Sequence, residues 1–242
     1  MSEPIDYASI TSLDLSSKQL DVLPDLSMYI NLKVLTCNFN KLTTLDNLPD
    51  SLKILNCYNN KITSLDNLPH GILELNCCFN KLTTLDNLPA SLKILNCNCN
   101  QLKSLDNLPL NLEVLHCKNN KLTSLDNLPS RLEILNCVSN KLTSLDNLPI
   151  SLKYLDCADN HLTSLDNLPP NLKELTCSNN ELTLLDNLPY SLKYLACSWN
   201  QITLLDNLPP SLLELSCGGN SFIYDFNPTL ETIRNYNVFR IT

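Results

Sequence analysis

The chain runs to 242 residues, a length that permits one domain or two. Lys and Arg number 17 against 25 Asp and Glu, and the formal charge of −8 excludes a sequence-independent nucleic-acid binder and disfavours an anionic membrane surface, since both need a basic face. The opening Met1-Ser2-Glu3-Pro4-Ile5-Asp6-Tyr7 has neither the basic nor the apolar stretch of a signal peptide, and apolar runs of a few residues are far too short to span a membrane, so the chain reads as soluble and intracellular.

Residues 1–9 form a short leading segment, in which Ile5 and Tyr7, with Ile10, are the candidates to cover the first repeat. A twenty-residue period then takes over and holds to Asn220. Its rungs are Cys37, Cys57, Cys77, Cys97, Cys117, Cys137, Cys157, Cys177, Cys197 and Cys217. Leu45-Asp46-Asn47-Leu48-Pro49 recurs with them, ending as Leu205-Asp206-Asn207-Leu208-Pro209. A strict short period predicts a β-rich solenoid, in which each unit contacts its neighbours and the stack makes the core. Leu13, then Leu35 to Leu215, mark eleven repeats across 10–226. The first is irregular, with Lys18 standing where the others place asparagine.

Within a regular repeat such as Asn31 to Asp50, the pattern alternates around Val34-Leu35-Thr36-Cys37-Asn38. This predicts a short strand with Leu35 and Cys37 facing inward. Asn40 and its equivalents follow where the chain turns. Only three glycines occur, so this asparagine is expected to take the positive-φ conformation and to bond the next repeat's backbone through its amide. Leu48-Pro49 excludes a helix interior and predicts an extended or polyproline-like return path. After Asn220 the period fails and aromatics gather: Phe222, Tyr224, Phe226, Tyr236 and Phe239. Residues 227–242 read as a cap, with Asn227-Pro228 opening a short helix at about 228–236 that carries Leu230, Ile233 and Tyr236.

Leu32-x-x-Leu35-x-Cys37-x-x-Asn40-x-Leu42 resembles the leucine-rich repeat signature, with cysteine in an inward leucine slot. The repeat length and the Leu48-Pro49-Asp50-Ser51-Leu52 return look like the short bacterial-type subclass, found in secreted effectors and in similar arrays of giant DNA viruses. The resemblance implies a horseshoe with a concave parallel sheet of about 11 short strands, used mostly for protein recognition.

Two readings compete for the cysteine column. Neighbouring rungs sit about 4.8 Å apart in a parallel sheet, close enough for a metal–thiolate or redox stack. However, a straight column does not converge tetrahedrally, and thiolates inside a leucine core are costly. Packing as a small hydrophobe in a reducing compartment fits better, with no metal or other cofactor. Cys78 and Cys99 lie off the ladder; a labile disulfide, half a metal site and ordinary surface thiols all remain open for them.

A partner's contacts are expected one residue to either side of each rung. Ile94, Val114 and Ile134 belong to an aliphatic column bordered by asparagines. Further on, Tyr154, Asp156, Asp159, Glu174, Tyr194 and Trp199 make an aromatic and acidic patch suited to a basic protein surface. The plainer reading is that Val, Ile and Tyr are simply good strand residues. With no phosphate loop, serine elbow or Cys–His pair outside the repeats, the chain reads as a non-catalytic protein-binding scaffold. Glycan or small-ligand recognition by the asparagine-rich face, or a structural or decoy array, are the alternatives.

Overall fold

A computed structural model describes residues 6–241, with side chains described through Val238. Ile5 lies outside the described residues, and so does the side chain of Phe239. Two compact units divide the chain, Met1–Asn120 and Lys121–Thr242.

The first unit opens with a 3-10 turn, Tyr7–Ser9, capped by the Asp6 carboxylate accepting from the Ala8 amide at 3.1 Å. Tyr7 meets Tyr29 edge-on, ring centroids 5.1 Å apart, so Tyr29 joins this cap. Six strands follow: β1 (Ser12–Asp14), β2 (Val34–Thr36), β3 (Ile54–Asn56), β4 (Glu74–Asn76), β5 (Ile94–Asn96) and β6 (Val114–His116). They pair in parallel and in register, each leucine with the next along Leu13, Leu35, Leu55, Leu75, Leu95 and Leu115. The second unit repeats the scheme with β7 (Ile134–Asn136), β8 (Tyr154–Asp156), β9 (Glu174–Thr176), β10 (Tyr194–Ala196) and β11 (Glu214–Ser216), closed by the helix α1 (Leu230–Ile241).

Each strand is three residues long, shorter than the alternation suggested, and the cysteine lies one position past its end. It still faces inward: Leu35, Cys37, Leu42, Leu52 and Leu55 are fully buried. Several ladder thiols also have a use beyond packing. Cys57 donates its amide to the Asn76 carbonyl at 2.9 Å and its Sγ to the same oxygen at 3.4 Å. Cys77 and Cys97 do the same toward Asn96 and His116. A methyl group of similar size lacks that donor, which gives a reason for cysteine over alanine.

The asparagine ladder forms, with two differences from expectation. Asn60 reaches back, not forward: its Nδ2 donates to Cys37 O and Cys57 O at 3.0 Å, and its Oδ1 accepts from Leu42 N at 3.0 Å. The positive φ falls elsewhere, on the residue just before, at Phe39, Asn59, Phe79, Cys99 and Asn119 in the first unit. A second left-handed column lies at Asn47 and its equivalents, within turns of the return path. That path is a series of turns closed by bonds such as Leu52 N to Pro49 O at 3.0 Å, and is not polyproline-like throughout. In the irregular first repeat, Asn40 Oδ1 still accepts from Lys18 N and Leu20 N, at 3.1 and 3.0 Å.

The C-terminal helix begins later than Asn227-Pro228 predicts. Thr229 and Thr232 cap it reciprocally: Thr229 N donates to Thr232 Oγ1 at 2.8 Å and Thr232 N to Thr229 Oγ1 at 3.2 Å. Proline stands one place before that cap, outside the helix. Ile233 is fully buried, and Tyr236 packs on Tyr224 and Phe226 with centroids 5.1 and 5.5 Å away.

Candidate interaction surface

Parallel pairing in register lines up one outward column per strand position. In the first unit, Ile94 and Val114 are direct partners, both half-buried, with Asn96 opposite His116 on the same face. Burial lowers the His116 pKa. In the second unit, Ile134, Tyr154, Glu174 and Tyr194 form one outward column, with Asn136, Asp156, Thr176 and Ala196 beside it. Glu174 is exposed and the two tyrosines are half-buried. Asn136 Nδ2 donates to Asp156 Oδ2 at 3.3 Å, so this carboxylate is already partly engaged.

Asp159 and Trp199 lie elsewhere, at the edge where the chain leaves the strands. Asp159 accepts from Ser139 Oγ at 3.3 Å and from Asn179 Nδ2. The six residues read as one patch from sequence therefore split: Tyr154, Asp156, Glu174 and Tyr194 share the strand face, while Asp159 and Trp199 share the edge. None of the ring contacts among the described residues joins Tyr154, Tyr194 and Trp199.

Trp199 is the most unusual of these. Its φ is 57°, a conformation that suits Asn or Gly, and its side chain is 70% exposed. The indole lies against Gly219, where an added Cβ would come within 2.8 Å of the ring. Gly219 itself has φ of 70°, so that position needs glycine twice over.

The first unit holds an aromatic cluster that sequence reasoning missed as a site. Phe39 and Tyr58 meet edge-on at 5.0 Å, and Tyr58 and Phe79 at 5.4 Å. The available signal was a bulky ring where sister repeats place asparagine, as at Asn59 and Asn119.

Charge elsewhere is paired along exposed rows. Lys93 Nζ meets Glu113 Oε1 at 3.0 Å in the first unit, and Lys153 meets Glu133 at 2.7 Å in the second. Such pairs contribute little individually. Among the described residues, no group of three or more His, Cys, Asp or Glu is arranged to hold a metal ion, and no helix is long and apolar enough to cross a membrane. Burial pushes the Cys37 and Cys177 thiols up to about 12 and those of Cys57, Cys77, Cys97 and Cys157 well above the ordinary range. Cys78 and Cys99 are both free thiols; Cys78 is buried, not on the surface, and its thiol is pushed up to about 12, first by burial and then by Cys99.

Neither a family model nor a curated protein matches the chain. Solved structures do. YopM from Yersinia enterocolitica is 36% identical over 84% of this chain, with a TM-score of 0.70, and this chain covers 49% of it. The functional domain of InlJ from Listeria monocytogenes, which includes a cysteine ladder, is 37% identical over 90% of this chain, with a TM-score of 0.77 and 50% of that domain covered. YopM of Yersinia pestis, a leucine-rich effector protein, is 31% identical over 87% of this chain and 78% of its own, with a TM-score of 0.52. The chain thus spans about half the length of the first two.

Proposed function

The chain belongs to the leucine-rich repeat family, and from that membership we propose that it is a host-directed, non-catalytic scaffold binding a protein partner through side chains on the strand face and its exit edge. One observation carries the reading. Trp199 occupies a backbone conformation that disfavours it, yet remains 70% exposed, so neither local propensity nor burial accounts for a tryptophan there. Strain retained at a surface, on the residue type most enriched in binding hot spots, supports a contact made by another molecule. Tyr154 and Tyr194 offer further aromatic area on the strand face, and Asp156, Asp159 and Glu174 give this part of the second unit an acidic character that selects a basic partner surface. In the first unit, Ile94 and Val114 offer an apolar pair, and in the second Ile134 stands at the head of the outward column. The protected thiols suit a reducing compartment, inside a producing or a host cell.

Affinity capture from a host-cell lysate tests this, run in parallel with wild-type protein and a Tyr154→Ala, Tyr194→Ala, Trp199→Asn triple variant. Asparagine is chosen for residue 199 because Asn179 holds the same conformation natively. At least one captured protein is expected to fall by about tenfold or more with the variant. Retention of every captured protein sinks the reading.

A further inference from the structure

The exit edge of the first unit carries a second feature of the same kind, with opposite charge. Phe39, Tyr58 and Phe79 form a continuous edge-to-face row across three repeats, at interplanar angles of 83° and 81°. Phe39 is 53% and Phe79 50% exposed, so half of each ring stays in water. Both hold φ of 54°, while the repeat between them fills the position with Asn59 at φ of 55°. Phenylalanine in that region is an outlier, and incomplete burial does not compensate for it.

The backbone here is already satisfied. Phe39 N donates to Tyr58 O and Phe79 N to Asn98 O, each at 3.0 Å, and Asn59 N to Cys78 O at 2.9 Å. Recognition at this edge must therefore use side chains and not added strand pairing. Two or three residues past the rings stand Lys41, Lys61 and Lys81, all exposed. Residues 36–42, 56–62 and 76–82 contain these three lysines and no carboxylate. The corresponding stretches 136–142, 156–162 and 176–182 of the second unit contain Asp156, Asp159 and Glu181 against Lys141 alone. The lysine position itself belongs to the repeat and recurs at Lys121 and Lys141, but its combination with aromatic rings and no carboxylate is particular to these three repeats.

We propose that the Phe39–Tyr58–Phe79 row, with Lys41, Lys61 and Lys81, docks an extended acidic peptide segment of a partner protein. An apolar side chain of that segment seats on the rings, and its carboxylates lie along the lysines. Repeats about 4.8 Å apart place the lysines over roughly 10 Å, the reach of about three extended residues. The inference rests on reading the chain as a protein-binding scaffold, and it adds the partner's chemistry.

The test pans a random dodecapeptide display library on wild-type protein, with counter-selection on a Phe39→Asn, Phe79→Asn double variant. Enriched sequences should combine several carboxylates with an aromatic or leucine. A synthetic peptide of such sequence should bind about tenfold or more weakly to the double variant and to a Lys41→Gln, Lys61→Gln, Lys81→Gln variant, and should weaken as salt rises. The double variant should melt at or above the wild-type temperature, because it carries the residue native at position 59. If it does not fold, the lysine variant decides alone. Enrichment of neutral or basic peptides overturns the inference, as does preferential retention of a single-stranded oligonucleotide. Peptides that bind wild type and both variants alike also overturn it, while leaving the scaffold reading and its Trp199 test untouched.

Discussion

At the residue scale, two side-chain types carry the repeat. Asn100 shows the first: its Oδ1 accepts from Leu82 N at 2.9 Å, and its Nδ2 donates to Cys77 O and Cys97 O at 3.1 Å, all buried. Asn100→Ala strips partners from backbone groups that water cannot reach, so a loss of about 2–4 kcal/mol is expected in urea unfolding. A cost below about 0.5 kcal/mol contradicts the ladder. The cysteines are the second type. In native protein, iodoacetamide should label Cys99, the half-exposed thiol, far faster than the buried rungs, which react only after denaturation. Peptide mapping that finds Cys57, Cys77 or Cys97 modified at the rate of Cys99 refutes the inward register. The asparagine and cysteine ladders were legible from spacing alone. The left-handed residue was not, because that position varies among Phe, Asn, Cys, Ser, Asp, Trp and Gly, and the adjacent invariant asparagine fits the conformation equally well. Once φ is known, Phe39, Phe79 and Trp199 stand out as the side chains that local preference does not explain.

At the scale of elements, period fixes the strands and their register, since shifting a strand by one residue would expose Leu35 and Cys37 and bury Val34 and Thr36. Periodicity says less about segments without it. Leu48-Pro49 forbids a helix but does not distinguish an extended path from the turns that form, where Asn47 at φ of 61° supplies the left-handed step. Asp46-Asn47 was the signal for that turn. The helix start was misplaced for a related reason: Asn227-Pro228 is a good opening pair, but Thr229 and Thr232 form two reciprocal bonds and win. The difference is measurable. Thr229→Ala should cost about 1 kcal/mol, whereas Asn227→Ala should stay within about 0.5 kcal/mol, by thermal or urea unfolding. Equal losses would restore the earlier boundary. The candidate surface divides in the same way: its strand-face members follow from alternation, and its edge members needed the turn geometry.

At the scale of the whole molecule, the cysteines set a limit on alkaline stability. Thiols in an unfolded chain ionise near pH 8.5, while burial holds Cys37 and Cys177 up to about 12 and several others higher. Above pH 8.5 the unfolded state therefore binds fewer protons than the native state, and stability falls as pH rises. The effect is absent below that range, begins as the unfolded thiols ionise, and grows until the native thiols themselves titrate. Each protected thiol contributes a slope of about 1.4 kcal/mol per pH unit. Several acting together exceed, within one or two pH units, the 5–15 kcal/mol that typically separates folded from unfolded chains, so a cooperative alkaline transition is expected between about pH 9.5 and 11. Tyrosine and lysine titrate in the same window, so the transition alone does not identify its cause. The slope does. A Cys77→Ala, Cys97→Ala variant starts less stable at pH 7 because it carries two cavities, yet its stability should decline more gently with pH, by about 2.7 kcal/mol per unit. Urea unfolding at a series of pH values between 8 and 10 measures this directly, and parallel declines for the two proteins would show that the rungs are not the groups that hold their protons.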